Sequence, residues 1–111
     1  MLIGGSMTTY RAIVHYHFKK GMEQQGIRFF ENELLKKAQE YGCHSIELWQ
    51  DERDPQHLIG TGMWNSLEEA RRFQSHWNEK ERELINFCTN TPKREFLKIK
   101  ATYSEKSRRV A

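Results

Sequence analysis

Two hydrophobic periods alternate along this chain, and their order constrains the fold more than any other feature of the sequence. The segment YRAIVHYHF, residues 10–18, alternates with the period of two that is typical of a β-strand. Apolar residues then recur every three to four positions between Met22 and Tyr41, which predicts a helix. Strand patterns follow in HSIELWQ and HLIGTGMWN, a second helical stripe begins after Ser66, and EFLKIKATY predicts a last strand. The predicted order is β-α-β-β-α-β.

Local signals mark the ends of these elements. Gly42 stands where glycine commonly ends a helix, and the polar loop DERDPQ separates the two middle strands. Ser66 and Glu69 match a capping box, in which the serine hydroxyl and the carboxylate satisfy free backbone amides at a helix start. The second helical stripe weakens past its middle, so a bend or break is expected near Asn78, and Pro92 marks its end.

The order of elements is that of the ferredoxin-like α+β fold, a four-stranded antiparallel sheet with two helices on one face. Short connections and right-handed crossovers place both helices on the same side of the sheet. At 111 residues the chain has the length of one domain. We predict that this domain covers residues 8–104, with flexible tails at 1–7 and 105–111.

The composition excludes several classes of protein. Lys and Arg number 18 against 15 Asp and Glu, and part of this small excess lies in the C-terminal segment SEKSRRVA, so no nucleic-acid partner is indicated. No apolar run approaches the ~20 residues that span a bilayer. The two cysteines, Cys43 and Cys88, form no CxxC motif, and no secretory signal precedes them, which predicts a reduced, cytoplasmic protein.

The sheet face away from the helices is predicted to be unusually apolar. If the aliphatic residues face the helices, that side carries Val14, Ile46, Leu48, Leu97 and Ile99. The opposite face then carries a mixture of charged, aromatic and aliphatic side chains, namely Ile13, His15, His17, Glu47, Trp49, Phe96, Lys98 and Lys100.

A contiguous patch of this kind exceeds what a monomer normally leaves exposed. Burying roughly 600 Å² of apolar area per subunit would contribute on the order of 15 kcal/mol before the costs of association. The simplest arrangement is a second copy packed sheet against sheet across a twofold axis. The sequence therefore predicts a homodimer through the sheet face.

Four segments together resemble the antibiotic biosynthesis monooxygenases, a family of dimeric α/β-barrel proteins. They are the strand end KKG, the helix end YGC, the loop DERDP and the run MWNSLEEARRFQSHW, and the likeness covers residues 10–103. Its most specific element is Trp64 followed by Asn65, Ser66 and an acidic helix start, with His76 ten residues after Ser66. The family commonly has an acidic residue where Asn65 stands here.

The resemblance implies a cofactor-free enzyme that oxidises polycyclic phenols with molecular oxygen, in a pocket between the sheet and the helices. Such chemistry needs no metal if the substrate is deprotonated to an electron-rich anion, because the protein then supplies a dry cavity, a base and hydrogen-bond donors. The alternative is a non-catalytic dimeric barrel that binds a small apolar ligand or serves a stress-related or interaction role.

Five residues are candidates for this pocket. The resemblance matches Trp64 to a tryptophan at the pocket of some monooxygenases, although core packing explains it equally well. Tyr16 is placed to donate a hydrogen bond to a bound phenolate, and Phe73 and Trp77 lie on the second helical stripe, but burial in the core is the simpler interpretation of all three. His76 is the titratable group that we predict as general base, against the simpler alternative of a structural or surface histidine.

The predicted open face of the sheet carries three candidate metal ligands. His15 and His17 are two residues apart on one strand, and Glu47 offers a carboxylate on a neighbouring strand. Lys98 and Lys100, predicted on the same face, would repel a cation and pair with Glu47. We therefore predict no metal.

Two further functions do not match the sequence. The haem-degrading branch of the superfamily uses an asparagine, a tryptophan and a histidine at positions that hold Val14, Phe73 and Glu83 here, so no haem is expected. RNA-recognition domains share the β-α-β-β-α-β order, but the third strand HLIGTGMW lacks their basic start and paired aromatic rings.

Overall fold

The computed structural model describes residues 9–103, in which four strands form one antiparallel sheet. The strands are β1 (Tyr10–His17), β2 (Ser45–Gln50), β3 (His57–Trp64) and β4 (Lys93–Lys98), in the spatial order β2-β3-β1-β4. The helices are α1 (Glu23–Phe29), α2 (Leu35–Glu40) and α3 (Leu67–Ile85), and the π-helical segment Phe30–Leu34 joins α1 to α2. The predicted ferredoxin-like α+β fold is confirmed. The predicted tails lie outside the described residues.

Both helical regions pack on the same face of the sheet, as the order of elements predicted. One buried cluster joins the first helical region to α3 and the end of β3, and its members are Phe30, Leu34, Ala38, Trp64, Ala70, Phe73 and Trp77. A second buried cluster lies at the other end of the sheet and contains Tyr16, Phe18, Leu58, Leu84 and Cys88. Val14, Ile46 and Leu48 pack against these clusters, which confirms the helix-facing side predicted for β1 and β2. None of the helices within residues 9–103 is long and apolar enough to cross a membrane.

Two local signals at the helix ends are confirmed, the serine half of the capping box and the glycine after the first helical region. The hydroxyl of Ser66 accepts a hydrogen bond of 3.1 Å from the backbone N–H of Glu69, which fixes the start of α3. Gly42 follows α2 with a φ of +94°, a conformation that glycine adopts without steric cost. The hydrogen bond of Ser66 and the conformation of Gly42 both involve residues close together in the chain. For that reason the sequence predicted them.

The faces assigned to β4 were wrong. Phe96 lies directly opposite Ala12, and Leu97 lies opposite Arg11. Because directly opposed residues share a face of the sheet, Phe96 faces the helices and Leu97 lies on the open face. Leu97 and Ile99 are 47% and 46% exposed. Apolar residues occupy both phases of EFLKIK, so aliphatic character alone did not determine which phase is buried.

The limits of the last strand and of the last helix also differ from those predicted. β4 begins at Lys93 and ends at Lys98, so it starts before the predicted segment EFLKIKATY and stops within it. Lys98 shares the phase of Phe96 and therefore does not lie on the open face, and Lys100 lies beyond the strand. α3 continues through Asn78 to Ile85 without the break that was expected there.

Gly26 is a helical position where a side chain does not fit. A Cβ atom built on Gly26 would lie 2.4 Å from Cζ of the Phe18 ring, which is itself buried in the second cluster. Alanine favours a helix over glycine by about 1 kcal/mol at an unhindered site. Here the clash forces the ring or the helix to move, which costs roughly 1–3 kcal/mol in a packed core.

We therefore expect Gly26→Ala to lower the free energy of unfolding, measured from the urea midpoint by circular dichroism. Gln25→Ala changes an exposed position of the same helix and serves as the control, which should unfold at or above the wild-type midpoint. A Gly26→Ala midpoint equal to that of the control would contradict the close packing of Phe18 on α1.

Candidate functional site

A cavity of about 50 Å³ lies between the helical regions and the sheet. All four strands contribute to its floor, and the π-helical segment and α3 form its walls. Gly60 of β3 allows this close approach, because a Cβ at that position would lie 3.3 Å from the ring of Phe30 and 3.5 Å from that of Tyr16. A side chain at position 60 would therefore occupy part of the cavity, next to the rings of Phe30 and Tyr16.

The π-helical segment borders the cavity directly. Phe30 and Leu34, its first and last residues, are buried and line the cavity. A π-helical turn accommodates one more residue than an α-helical turn, and such turns occur frequently at functional sites. The distortion therefore coincides with the part of the fold where a ligand would bind.

Four of the five candidate residues are brought together at this cavity. Tyr16, Trp64, Phe73 and Trp77 all line it, and each is less than one-tenth exposed. The ring centroids of Trp64 and Phe73 lie 5.4 Å apart, and those of Phe73 and Trp77 lie 5.9 Å apart. These rings fill the core and border the cavity at once, so the two interpretations of the sequence do not exclude one another. Their binding of a ligand stays a prediction.

His76 is the candidate that lies outside the cavity lining. Its imidazole is exposed and tilted against the ring of Tyr41, with centroids 5.1 Å apart. It borders a surface groove instead, together with Lys37 and Trp77. Consecutive helical residues point about 100° apart, so the position before the buried Trp77 turns away from the sheet. Its role as general base stays a prediction.

A buried ion pair at the cavity was missed by the sequence analysis. Arg94 lies on β4 opposite Val14, lines the cavity, and donates a hydrogen bond to the carboxylate of Glu81 on α3. The side chain of Glu81 is 8% exposed and that of Arg94 is 21% exposed. The pair joins the last strand to the last helix across the end of the cavity.

Arg94 was missed because the last strand was predicted to begin one residue later, at Glu95. Glu81 was missed because it lies where the apolar stripe of the second helix weakens. One signal was available in the sequence. Glu81 stands four residues after Trp77 and three before Leu84, so it occupies the apolar stripe of α3. A charged residue on a buried stripe requires a partner, and a neighbouring element had to supply a cation.

The polar groups of the cavity are rich in hydrogen-bond donors. The indole N–H of Trp77 is buried and has no hydrogen-bond partner within the described part of the chain. An indole only donates, and an unmet buried donor costs about 1–3 kcal/mol. Arg94 also only donates, and of its five N–H groups one bonds to Glu81. An oxygen that accepts hydrogen bonds is therefore the ligand group that best matches this wall.

Tyr16 adds a third group that is protonated at neutral pH. Burial raises the pKa of the Tyr16 hydroxyl well above its usual range, and the nearby charge of Glu81 raises it further. A hydroxyl in this state is unsuited to act as a base. It can donate to a bound anion, which is the role predicted for it from the sequence.

Within residues 9–103, the cysteine thiols and the candidate metal ligands do not form a second reactive centre. Burial raises the pKa of the Cys88 thiol to about 11, with a further contribution from the charge of Glu81, so the thiol is neutral at physiological pH. Among residues 9–103, no group of three His, Cys, Asp or Glu side chains is arranged to hold a metal ion. Glu47 accepts a hydrogen bond of 3.1 Å from the indole of Trp49.

Comparison with known proteins identifies the fold. No protein-family model and no curated protein sequence matches the chain. A conserved protein from Methanosarcina mazei superposes with a TM-score of 0.75 at 16% identity, covering 86% of this chain and 97% of its own. The ActVA-Orf6 monooxygenase of Streptomyces coelicolor, solved with the ligand Nanaomycin D, gives 0.75 at 13% identity, covering 87% and 92%. A structure described as an antibiotic biosynthesis monooxygenase gives 0.68 at 14% identity, covering 85% and 99%.

These similarities extend over nearly the whole described chain, at sequence identities that establish the fold alone. The chain has the fold of the antibiotic biosynthesis monooxygenases, and the resemblance inferred from the sequence is confirmed at that level.

The buried ion pair yields a stability prediction. Arg94→Met removes the cation and leaves the Glu81 carboxylate buried without its partner, which should lower the free energy of unfolding at neutral pH by on the order of 3 kcal/mol. In the double variant Glu81→Leu with Arg94→Met, apolar side chains replace both partners, and most of that loss should be recovered. Urea denaturation of the wild type, the single variant and the double variant measures both effects. A double variant less stable than Arg94→Met would contradict the pairing.

Proposed function

We propose that this chain is a cofactor-independent monooxygenase that acts on an aromatic or otherwise apolar small molecule with an ionisable hydroxyl group. The observation that carries the proposal is an apolar cavity whose wall includes two groups that only donate hydrogen bonds, the buried indole of Trp77 and the guanidinium of Arg94. The ActVA-Orf6 protein of the same fold, a monooxygenase with bound Nanaomycin D, supports the same class of ligand.

In the proposed reaction the substrate is a phenol that loses its hydroxyl proton and becomes an electron-rich anion. The anion reduces molecular oxygen, one oxygen atom becomes a quinone carbonyl in place of a ring C–H, and the other leaves as water. The donors of Arg94 and Trp77 stabilise the phenolate oxygen, and Tyr16 adds a third hydrogen bond. The aromatic walls keep bulk water away from the reacting carbon and strengthen these interactions.

The proton acceptor is proposed to be His76, acting at the boundary of the site. Trp77 lines both the cavity and the surface groove that His76 borders, so one indole separates the two spaces. A general base acts within hydrogen-bond distance of the proton or through one water molecule. Because His76 is exposed, its action on a cavity-bound hydroxyl requires such a water.

The cavity must widen to admit a ring. Its volume of about 50 Å³ is smaller than the ~150 Å³ of an engineered cavity that binds benzene. Side chains on the π-helical segment, Phe30 and Leu34, are placed to move, because a π-helical turn is already displaced from regular α-helical packing. Binding of substrate and opening of this wall are thus one event.

The alternative function is non-catalytic binding of a small apolar ligand by the same cavity. Its support is the composition of the wall, where the carboxylate of Glu81 is already paired with Arg94 and no histidine is present among the lining residues. Such a wall holds an acceptor oxygen without removing a proton. Binding without turnover is the outcome that distinguishes this function from the first.

We also propose that two copies pack through their open sheet faces, as dimeric α/β barrels do, in the cytoplasm. Trp49 is 57% exposed on this face, and Leu97 and Ile99 lie along its other edge. Ile13 and Ile59 lie between them on the central strands and are partly buried within the single chain. The two free cysteines are consistent with a reducing compartment.

Activity is tested by oxygen consumption with a panel of hydroquinones and polycyclic phenols. The wild type should consume oxygen with at least one of them, and His76→Ala should lower the rate by roughly 10²-fold if the imidazole is the base. Arg94→Gln removes the cation and should reduce kcat by about 10²-fold through loss of anion stabilisation.

Arg72→Gln changes an exposed arginine of α3 and is the matched control, which should retain wild-type rates. Quenching of tryptophan fluorescence by the same phenols reports binding separately from turnover. Binding with no oxygen uptake by any phenol would contradict the monooxygenase and support the non-catalytic alternative.

Assembly is tested by analytical ultracentrifugation at micromolar concentration. The wild type should sediment as a dimer, and Leu97→Glu should sediment as a single chain because it introduces a charge into the proposed interface. Gln25→Glu adds the same charge on α1, away from the sheet, and should remain a dimer. A monomeric wild type would contradict the proposed assembly.

A further inference from the structure

Three imidazoles lie together on the open face of the sheet, at the end of β1. His17 lies opposite His57 on β3, and their ring centroids are 4.4 Å apart with the planes inclined by 10°. The ring of His15 lies edge to edge with that of His57, with centroids 5.4 Å apart and the planes inclined by 22°. The proposed oxygenation takes place on the other side of the sheet and uses none of these side chains.

Two of these imidazoles stand in series between two carboxylates. Nδ1 of His57 lies 3.2 Å from Oδ2 of Asp51, and Nε2 of His57 lies 3.1 Å from Nδ1 of His15. Nε2 of His15 lies 3.4 Å from Oε1 of Glu95. All four ring nitrogens of the pair therefore face a polar partner, and the contacts link the loop before β3 to strand β4.

The number of ring hydrogens determines which of these three contacts the pair can make at once. An ionised carboxylate only accepts, so each end contact needs an N–H from an imidazole, and the contact between the rings needs one more. Two neutral imidazoles carry two ring N–H hydrogens together, which leaves one of the three contacts without a hydrogen. Three hydrogens satisfy all three contacts, and they give the pair one positive charge.

We propose that the His15–His57 pair holds this single extra proton at neutral pH, and that uptake of a second proton in mild acid weakens the association of two copies across the open face. The second part rests on the homodimer proposed above. A second proton places an N–H on each of the two nitrogens that lie 3.1 Å apart, so the hydrogen bond is lost and two cations face one another.

The surrounding charges favour the singly protonated pair inside an interface. Lys93 of β4 lies directly opposite His15, and together with the shared proton it balances the carboxylates of Asp51 and Glu95. On β2, Glu47 is bonded to Trp49, and it faces Thr61 of β3 rather than an imidazole. A further proton on the pair, or on the stacked His17, leaves an excess positive charge, and excluding water from that charge is unfavourable.

The carboxylate at one end stays ionised through the range in which histidines titrate. The backbone N–H of Arg53 and the imidazole of His57 both donate to Asp51 and hold the pKa of its carboxyl below the usual range. Asp51 therefore does not take up the proton in mild acid, and the proposal assigns that proton to the imidazole pair. In a separated copy the two rings can move apart into water, so the separated copy accepts that proton more readily, and acid favours dissociation.

The test of association is sedimentation equilibrium of the full chain at about pH 8 and about pH 5.5, values that bracket histidine titration. We expect the dimer dissociation constant to rise at least tenfold in acid. The double variant His15→Gln with His57→Gln stays polar but cannot take up the proton, and its constant should change less than threefold. His44→Gln removes an exposed histidine outside the cluster and should keep the wild-type dependence.

Each outcome of this experiment is decisive. A wild-type dimer with the same constant at both pH values overturns the pH dependence and leaves the dimer intact, whereas a single chain at about pH 8 contradicts the dimer itself. A double variant with the full wild-type dependence overturns the assignment to this pair.

The shared proton is tested independently of assembly by ¹⁵N resonances of the imidazole rings at about pH 7. We expect three ring N–H hydrogens on His15 and His57 together. Glu95→Gln substitutes an amide that accepts or donates, so the pair should revert to two hydrogens. Two neutral imidazoles in the wild type would overturn the proposal in either oligomeric state.

Discussion

The register of the central strand β1 is the constraint on which both surfaces of this protein depend. Val14 lies between Gly60 of β3 and Arg94 of β4, and this row faces the helices. The next residue, His15, lies between Ile59 and Lys93 on the open face. A shift of β1 by one residue relative to β3 and β4 would exchange the residues on the two faces. The cavity and the histidine cluster therefore depend on the same backbone hydrogen bonds.

The helix-facing side combines an apolar cavity with a buried ion pair. Glu81 occupies a position of α3 that would otherwise hold an apolar side chain, and Arg94 meets it from β4. Desolvating two charges is costly, so such a pair is a weak source of stability compared with two apolar residues. What it provides is a cation at a defined place beside Trp77 and Tyr16, where a developing negative charge can be stabilised.

The open face shows the complementary arrangement. In the proposed dimer a second copy covers its apolar side chains, and the pair formed by His15 and His57 is the proposed site of proton uptake. In the proposed assembly the same surface both drives association and makes it sensitive to acid. The proposed dimer interface and the proposed reaction site lie on opposite sides of the sheet. Both depend on the register of β1 with its neighbouring strands.

Periodicity and neighbours along the chain were enough to predict the order of elements, the capping contact of Ser66 and the aromatic stripe of α3. The sequence by itself did not determine the face of Phe96, since both phases of that strand are apolar and only pairing with β1 selects one. The choice of Arg94 as the partner of Glu81 likewise depends on tertiary contacts. These features depend on which residues from distant segments come into contact, and local sequence patterns do not specify such contacts.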